Sequence, residues 1–115
     1  MTSIINRMFT PVEKALSFPS VFTNPTGYCL QIGSYLIFHY TSPCSTNTSG
    51  KVFDLPSGLS ADGGVNFIAN AQTGSQAGAY FAISNNGTSA NGLSAMPFYA
   101  NTWYEFSGII KVKRT

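Results

Sequence analysis

Phe98, Tyr99, Trp103 and Tyr104 crowd one short stretch that also carries Asn101 and Thr102. Exposed rings flanked by amides and hydroxyls make shallow saccharide sites, because a ring stacks on the apolar face of a sugar while amides bond its hydroxyls. Half of these rings must serve the core. Trp103 is the first choice of anchor and Tyr99 the second, with Asn101 and Tyr104 beside them. The plainer alternative is that all four rings belong to the core or to a subunit interface.

The rest of the chemical inventory is thin. Glu13, Asp54, Asp62 and Glu105 are the only carboxylates. Glu13 reads as a helix cap, and Asp54 and Asp62 precede Leu-Pro and Gly-Gly, which are turn positions. No spacing argues for a glycosidase pair. Asp62 with Asn66 or Asn70 could offer oxygens to calcium, but without the spacing of a helix-loop-helix calcium loop. Cys29 and Cys44 lie near the ends of strands in one hairpin region, so a bridge is geometrically possible, but a reducing compartment favours free thiols, and neither has cationic neighbours to lower its pKa. Two cysteines and one histidine fall short of a zinc site. No catalytic residue, cofactor or metal is expected, and the chain does not read as an enzyme.

The stretch that must position everything else is Tyr28 to Tyr40, YCLQIGSYLIFHY. Two apolar runs flank Gly33-Ser34, the signature of a type II′ hairpin turn. Beyond the turn, Leu36, Phe38 and Tyr40 share one face and Tyr35, Ile37 and His39 the other. Both faces are bulky and mostly apolar. The strand is therefore central in a layered β-structure, or its second face meets another subunit. Tyr35, Ile37 and His39, together with Ile4, Ile5, Met8 and Phe9 near the start of the chain, are the interface candidates, His39 as a neutral, hydrogen-bonded side chain, and a homotrimer is the expected assembly.

Composition agrees with a β-domain of that kind. Charged residues make up 9% of the 115 residues, with Gly, Ser, Thr and Asn in their place. With 43% apolar residues the chain can bury a core. Lys111, Lys113 and Arg114 supply half of the positive residues, and the alternation puts Lys111 and Lys113 on one face. They read as a solvated strand end, with a phosphate-binding patch as the alternative. So little charge does not suit a nucleic-acid partner. No secretory signal and no apolar run of transmembrane length is visible, so a soluble protein made in a cytoplasm is expected.

Residues 1–26 read as an N-terminal arm and residues 27–115 as the β-domain. Thr10-Pro11-Val12-Glu13 has a helix-start signature that allows one short helix before Pro19. Ile4, Ile5, Met8 and Phe9 would be costly in water, so the arm should pack on a neighbouring chain or on the outside of its own domain. From Tyr28 onward the chain alternates strands and turns. The strands expected are Lys51–Leu55, Val65–Ala69, Gly78–Ser84, Thr88–Leu93 and a last one from Trp103. Ser57–Gly64 reads as a Gly-rich connection, and Asn86-Gly87 as the strongest hairpin signal. Ser107-Gly108 suggests a bulge that bends the last strand. About seven or eight short strands at turn spacing give an all-β antiparallel sandwich or jelly-roll-like barrel.

Gly27-Tyr28 leading into Gln31–Tyr40, then Leu55-Pro56-Ser57-Gly58, then Asn86-Gly87, then Tyr104–Val112 resembles the small β-sandwich tip and head domains of tailed-bacteriophage adhesion proteins. The resemblance spans residues 27–113. It implies a jelly-roll-like trimer on a tail fibre or baseplate that contacts host-surface saccharide, is joined to other virion proteins through the arm and is located in the virion. A capsid decoration protein is the alternative. A secreted trimer of the complement or tumour-necrosis-factor type and a saccharide hydrolase rank behind it. Neither nucleic acid nor membrane insertion enters this reading.

Overall fold

The computed structural model describes residues 10–72 and 78–115. Every element in them is a strand or a turn, and the fold is all-β. Nine strands follow in chain order: β1 (Val12–Lys14), β2 (Thr26–Ile32), β3 (Tyr35–Cys44), β4 (Lys51–Asp54), β5 (Leu59–Ala61), β6 (Val65–Ala71), β7 (Gly78–Ile83), β8 (Ser89–Gly92) and β9 (Thr102–Arg114). All pairings are antiparallel, in the order β1-β2-β3-β9-β6-β7-β8-β4, with β5 added to β9. The sheet curls over one core. Its two ends are tied together where Ser17, just after β1, bridges Asp54 at the end of β4.

Local chemistry explains the centre of this sheet. Gly33-Ser34 forms the two-residue link between β2 and β3, with Ile32 opposite Tyr35. Gly33 has φ 60° and Ser34 keeps an ordinary φ, as a type II′ turn requires. Along β3, Leu36, Phe38 and Tyr40 are buried while Tyr35 is exposed and Ile37 and His39 are half-buried. The core they enter is aromatic. Phe9 aside, every phenylalanine of the chain takes part in ring contacts, and Phe106 meets Phe18, Phe22, Phe81, Phe98 and Tyr104 at centroid distances of 5.3–6.5 Å.

Five sequence expectations give way to tertiary packing. The capping box at Thr10–Glu13 does not start a helix. Val12–Lys14 is strand β1, paired with Cys29–Gln31, because β2 offers it an open edge. Residues 10–26 also do not merely lie on the outside of the domain. Leu16 and Phe22 are buried in the core, and Phe18 packs on Tyr40, Phe53 and Phe106. The described part of the proposed arm, residues 10–26, is thus part of the domain, while Ile4, Ile5, Met8 and Phe9 lie outside the described residues.

Gly108 makes no bulge. The β3–β9 register runs without a shift from Tyr35–Lys111 to Cys44–Thr102. A Cβ at Gly108 would lie 2.4 Å from the Phe67 ring and 3.2 Å from Phe38, so the glycine makes room for an inward ring. The Asn86-Gly87 turn exists but is wider than a two-residue hairpin. Asn86 takes the left-handed conformation at φ 65°, and its N–H donates to Ala61 O while Ala61 N–H donates to Gly87 O. Those bonds also explain β5, which lies inside the expected Gly-rich connection. Leu59–Ala61 is buried against the last residues of β9 and the tip of this turn.

Candidate functional site

Strand alternation gives β9 two faces. Tyr104, Phe106, Ile110 and Val112 point into the core. Trp103, Glu105, Ser107, Ile109 and Lys111 point outward, opposite Pro43, Thr41, His39, Ile37 and Tyr35 of β3. The pairing of β2 with β3 adds Tyr28, Leu30 and Ile32 to the same outer face. Its middle is an apolar row of Leu30, Ile37 and Ile109 on three adjacent strands, with Ile109 58% exposed. Tyr28 and Tyr35, each about half-exposed, flank it.

His39 belongs to this surface. Its ring stacks on Tyr28 at 6.1 Å, and its Nε2 lies 3.3 Å from Glu105 Oε2. Gln72 Nε2 donates to the same carboxylate oxygen at 3.5 Å. The three interface candidates Tyr35, Ile37 and His39 therefore stand on one surface, with Glu105 and Tyr28 as partners that spacing in the sequence did not reveal. Only the β2–β3 and β3–β9 registers bring them there.

The aromatic cluster divides as half core, half surface. Phe98 and Tyr104 are buried, their rings 4.8 Å apart. Tyr104 is therefore removed from the saccharide candidates, because a fully buried ring cannot stack on a ligand at this surface. Its hydroxyl instead accepts the Tyr99 N–H at 2.8 Å and holds the loop before β9. Tyr99 and Trp103 keep 43% and 40% of their surface open. Asn101 between them adopts φ 60°, and its N–H donates to Cys44 O at 2.8 Å. Asparagine tolerates this left-handed conformation better than other side-chain-bearing residues, so Asn101 makes the turn that separates the two open rings.

An apolar depression of about 590 Å3 lies elsewhere on the surface, lined by Asn66, Phe67, Ile68, Tyr80 and Leu93. Ile68 and Tyr80 are cross-strand partners on β6 and β7, and Leu93 N–H donates to Tyr80 O at 3.2 Å. The alternation of Val65–Ile68 hints at Asn66 and Ile68 sharing a face. Tyr80 and Leu93 join them only through the β6–β7–β8 pairing.

Among the described residues no group of three His, Cys, Asp or Glu side chains is arranged to hold a metal ion. The carboxylates are dispersed in separate contacts. Asp54 accepts from Ser89 Oγ, which holds its carboxyl below the usual range, and lies 3.2 Å from Lys51 Nζ. Asp62 lies 3.8 Å from Lys111 Nζ, and Glu105 contacts His39. Glu13 sits on β1 opposite Leu30 and caps no helix.

The thiols are free and buried. Cys29 does have a cationic neighbour, contrary to the sequence expectation, since Lys14 faces it across the β1–β2 ladder. Burial still outweighs that charge and pushes the Cys29 thiol up to about 11. Burial raises Cys44 as well, and its thiol donates to Thr46 O at 3.1 Å. Two results are expected. Iodoacetamide at pH 8 should leave Cys29 unlabelled in the folded protein and modify it after denaturation; rapid native labelling would contradict its burial. Because the folded pKa of Cys29 lies above the ordinary 9.0, its stabilising effect is present below pH 9 and is lost as the pH rises towards about 11. Denaturation midpoints measured across that window should fall.

These features define the class of the molecule, a single antiparallel sheet curled around an aromatic core, with an open apolar outer face and two exposed rings at the start of its last strand. Beyond the class, no family model, no curated protein and no solved structure matches the chain.

Proposed function

We propose that this chain is a bacteriophage virion structural protein, a tail-fibre or baseplate tip domain that assembles as a trimer and touches host-surface saccharide. The observation that carries the proposal is the row of Leu30, Ile37 and Ile109 across β2, β3 and β9. An antiparallel sheet with a solvated face ordinarily shows polar residues there. A contiguous apolar face of this kind marks an interaction surface. Copies of the chain related by a three-fold axis would cover it in a closed ring. Tyr99 and Trp103, with Asn101 between them, supply the rings and the amide for a sugar.

Sedimentation at micromolar concentration should give a species heavier than the 12.3 kDa chain. Ile109→Lys, at a position that is already open, should return it to monomer without unfolding it. A clean monomer for the wild type would overturn the assembly. Titration with host-envelope polysaccharide should lose about 1–3 kcal/mol in Trp103→Ala or Tyr99→Ala, the range of a single interface anchor. Folded variants that bind like wild type would remove these rings from the site. A decoration protein would bind capsids and leave host cells untouched, so binding of the purified chain to host cells separates the two roles.

A further inference from the structure

The far end of β9 carries a second surface of different chemistry. A cleft of about 650 Å3 is lined by Lys14, Lys113 and Arg114, by Gln31, Ser34 and Ser57, and by the backbone around Gly58 and Thr115. Its walls are held from both sides. Val112 N–H donates to Ser34 O at 2.7 Å, which fastens β9 to the β2–β3 turn. Thr115 N–H donates to Gly58 O at 3.0 Å, and Leu59 and Ser60 pair with Arg114 and Lys113. The cations are thus carried on paired backbone rather than on a loose tail.

Their charges are not balanced. Among the described residues, Lys51 and Lys111 each contact a carboxylate, whereas Lys14, Lys113 and Arg114 form no ion pair. No acidic side chain lines the cleft. Glu13, adjacent to Lys14 in sequence, pairs opposite Leu30 on the outer face, so strand alternation turns it away from Lys14. Gathering three like charges with no acidic side chain among them costs Coulomb energy in the empty protein, and an anion that enters recovers it. The arginine offers a fork of N–H donors suited to carboxylate, sulfate or phosphate, and the lysines add point charges. The serines and Gln31 supply neutral donors and acceptors.

We infer that this cleft binds an oxyanion carried on a saccharide, a carboxylate, sulfate or phosphate held by Lys14, Lys113 and Arg114 while Gln31, Ser34 and Ser57 bond ring hydroxyls. The volume suits one or two sugar rings. Among the described residues no aromatic side chain lines the cleft, which disfavours single-stranded nucleic acid because its bases need stacking platforms. The inference deepens the saccharide proposal and rests on it for the sugar, but uses a different surface. Trp103 and Lys113 are ten residues apart on one strand, roughly 30 Å along it.

The test titrates the full chain with three oligomers of matched length: an acidic oligosaccharide such as oligogalacturonate or a heparin fragment, a neutral glucan, and a single-stranded oligonucleotide. Each is measured at about 50 mM and about 300 mM salt, between which the screening length falls about 2.4-fold. The wild type should bind the acidic saccharide, weakly or not at all the neutral one, and lose affinity at the higher salt. Lys113→Gln and Arg114→Gln should each weaken binding about tenfold, as expected for loss of one charge-assisted hydrogen bond. Lys51→Gln, which removes a cation that lies outside the cleft and is paired with Asp54, should bind the acidic saccharide as wild type does, and Tyr99→Ala should lose any affinity for neutral glucan. Salt-insensitive binding, or affinity unchanged in Lys113→Gln and Arg114→Gln, would overturn the cleft. Equal binding of the oligonucleotide would overturn the saccharide class. Failure with the acidic ligand together with Tyr99-dependent binding of neutral glucan would sink this inference and leave the rim site standing.

Discussion

Phe106→Ala should destabilise the domain by about 3–5 kcal/mol, the usual cost of truncating a buried phenylalanine. Phe106 is fully buried and meets five other rings, from Phe18 and Phe22 at one end of the chain to Phe81, Phe98 and Tyr104 towards the other. Rings contributed by so many separate segments of the chain cannot all collapse into one vacancy, so the cost should fall in the upper part of that range. Thermal unfolding followed by circular dichroism should show the midpoint lowered by roughly 15 °C or more. A conservative Phe106→Leu should lose clearly less. Ile109→Ala, three positions along the same strand on the open face, should change stability by no more than about 0.5 kcal/mol in a monomer. If Phe106→Ala and Ile109→Ala melted alike, the assignment of inner and outer faces of β9 would be wrong.

The second large effect is expected at Gly27. A Cβ there would fall 1.9 Å from His39 O and 2.6 Å from Tyr40 Cα, both backbone atoms of the strand opposite. No side-chain rotation relieves such an overlap. β2 and β3 would have to separate at the pair Gly27–Tyr40, next to the His39 and Tyr28 stack. Gly27→Ala should therefore cost about 3 kcal/mol or more, beyond the ordinary overpacking range. Gly58→Ala provides the contrast. Gly58 has φ 85° and open space around its Cβ position, so only backbone strain of about 1–2 kcal/mol should appear. Denaturant midpoints of the two variants decide the matter. Equal losses would mean that the β2–β3 contact relaxes freely and that Gly27 is not needed for close approach.

The sequence by itself determined the features that depend on near neighbours. Alternation along Tyr35–Tyr40 fixes which side chains share a face, because the period of an extended chain is two whatever it packs against. Gly33-Ser34 fixes a tight turn, since only glycine reaches the required φ there without strain. The all-β class, most strands and the division of the Phe98–Tyr104 rings into core and surface were legible on that basis. Which ring falls in which half was not fully legible. Tyr104 is an inward position on β9, while Trp103 beside it faces out.

Only the tertiary structure decided what depends on the strand across. Thr10–Glu13 has the side chains of a helix cap, yet β2 leaves an edge whose hydrogen bonds Val12–Lys14 takes up. Gly108 could have marked a bulge, but the Phe67 ring occupies the space a side chain would need. Leu59–Ala61 looks like a linker until the end of β9 and the Asn86 turn enclose it. The same holds for both candidate sites. His39 meets Glu105, and Lys14 lines one cleft with Lys113 and Arg114, from distant parts of the chain. Spacing in sequence cannot encode those meetings, because antiparallel register, set by the burial of the aromatic core, chooses which distant residues become neighbours.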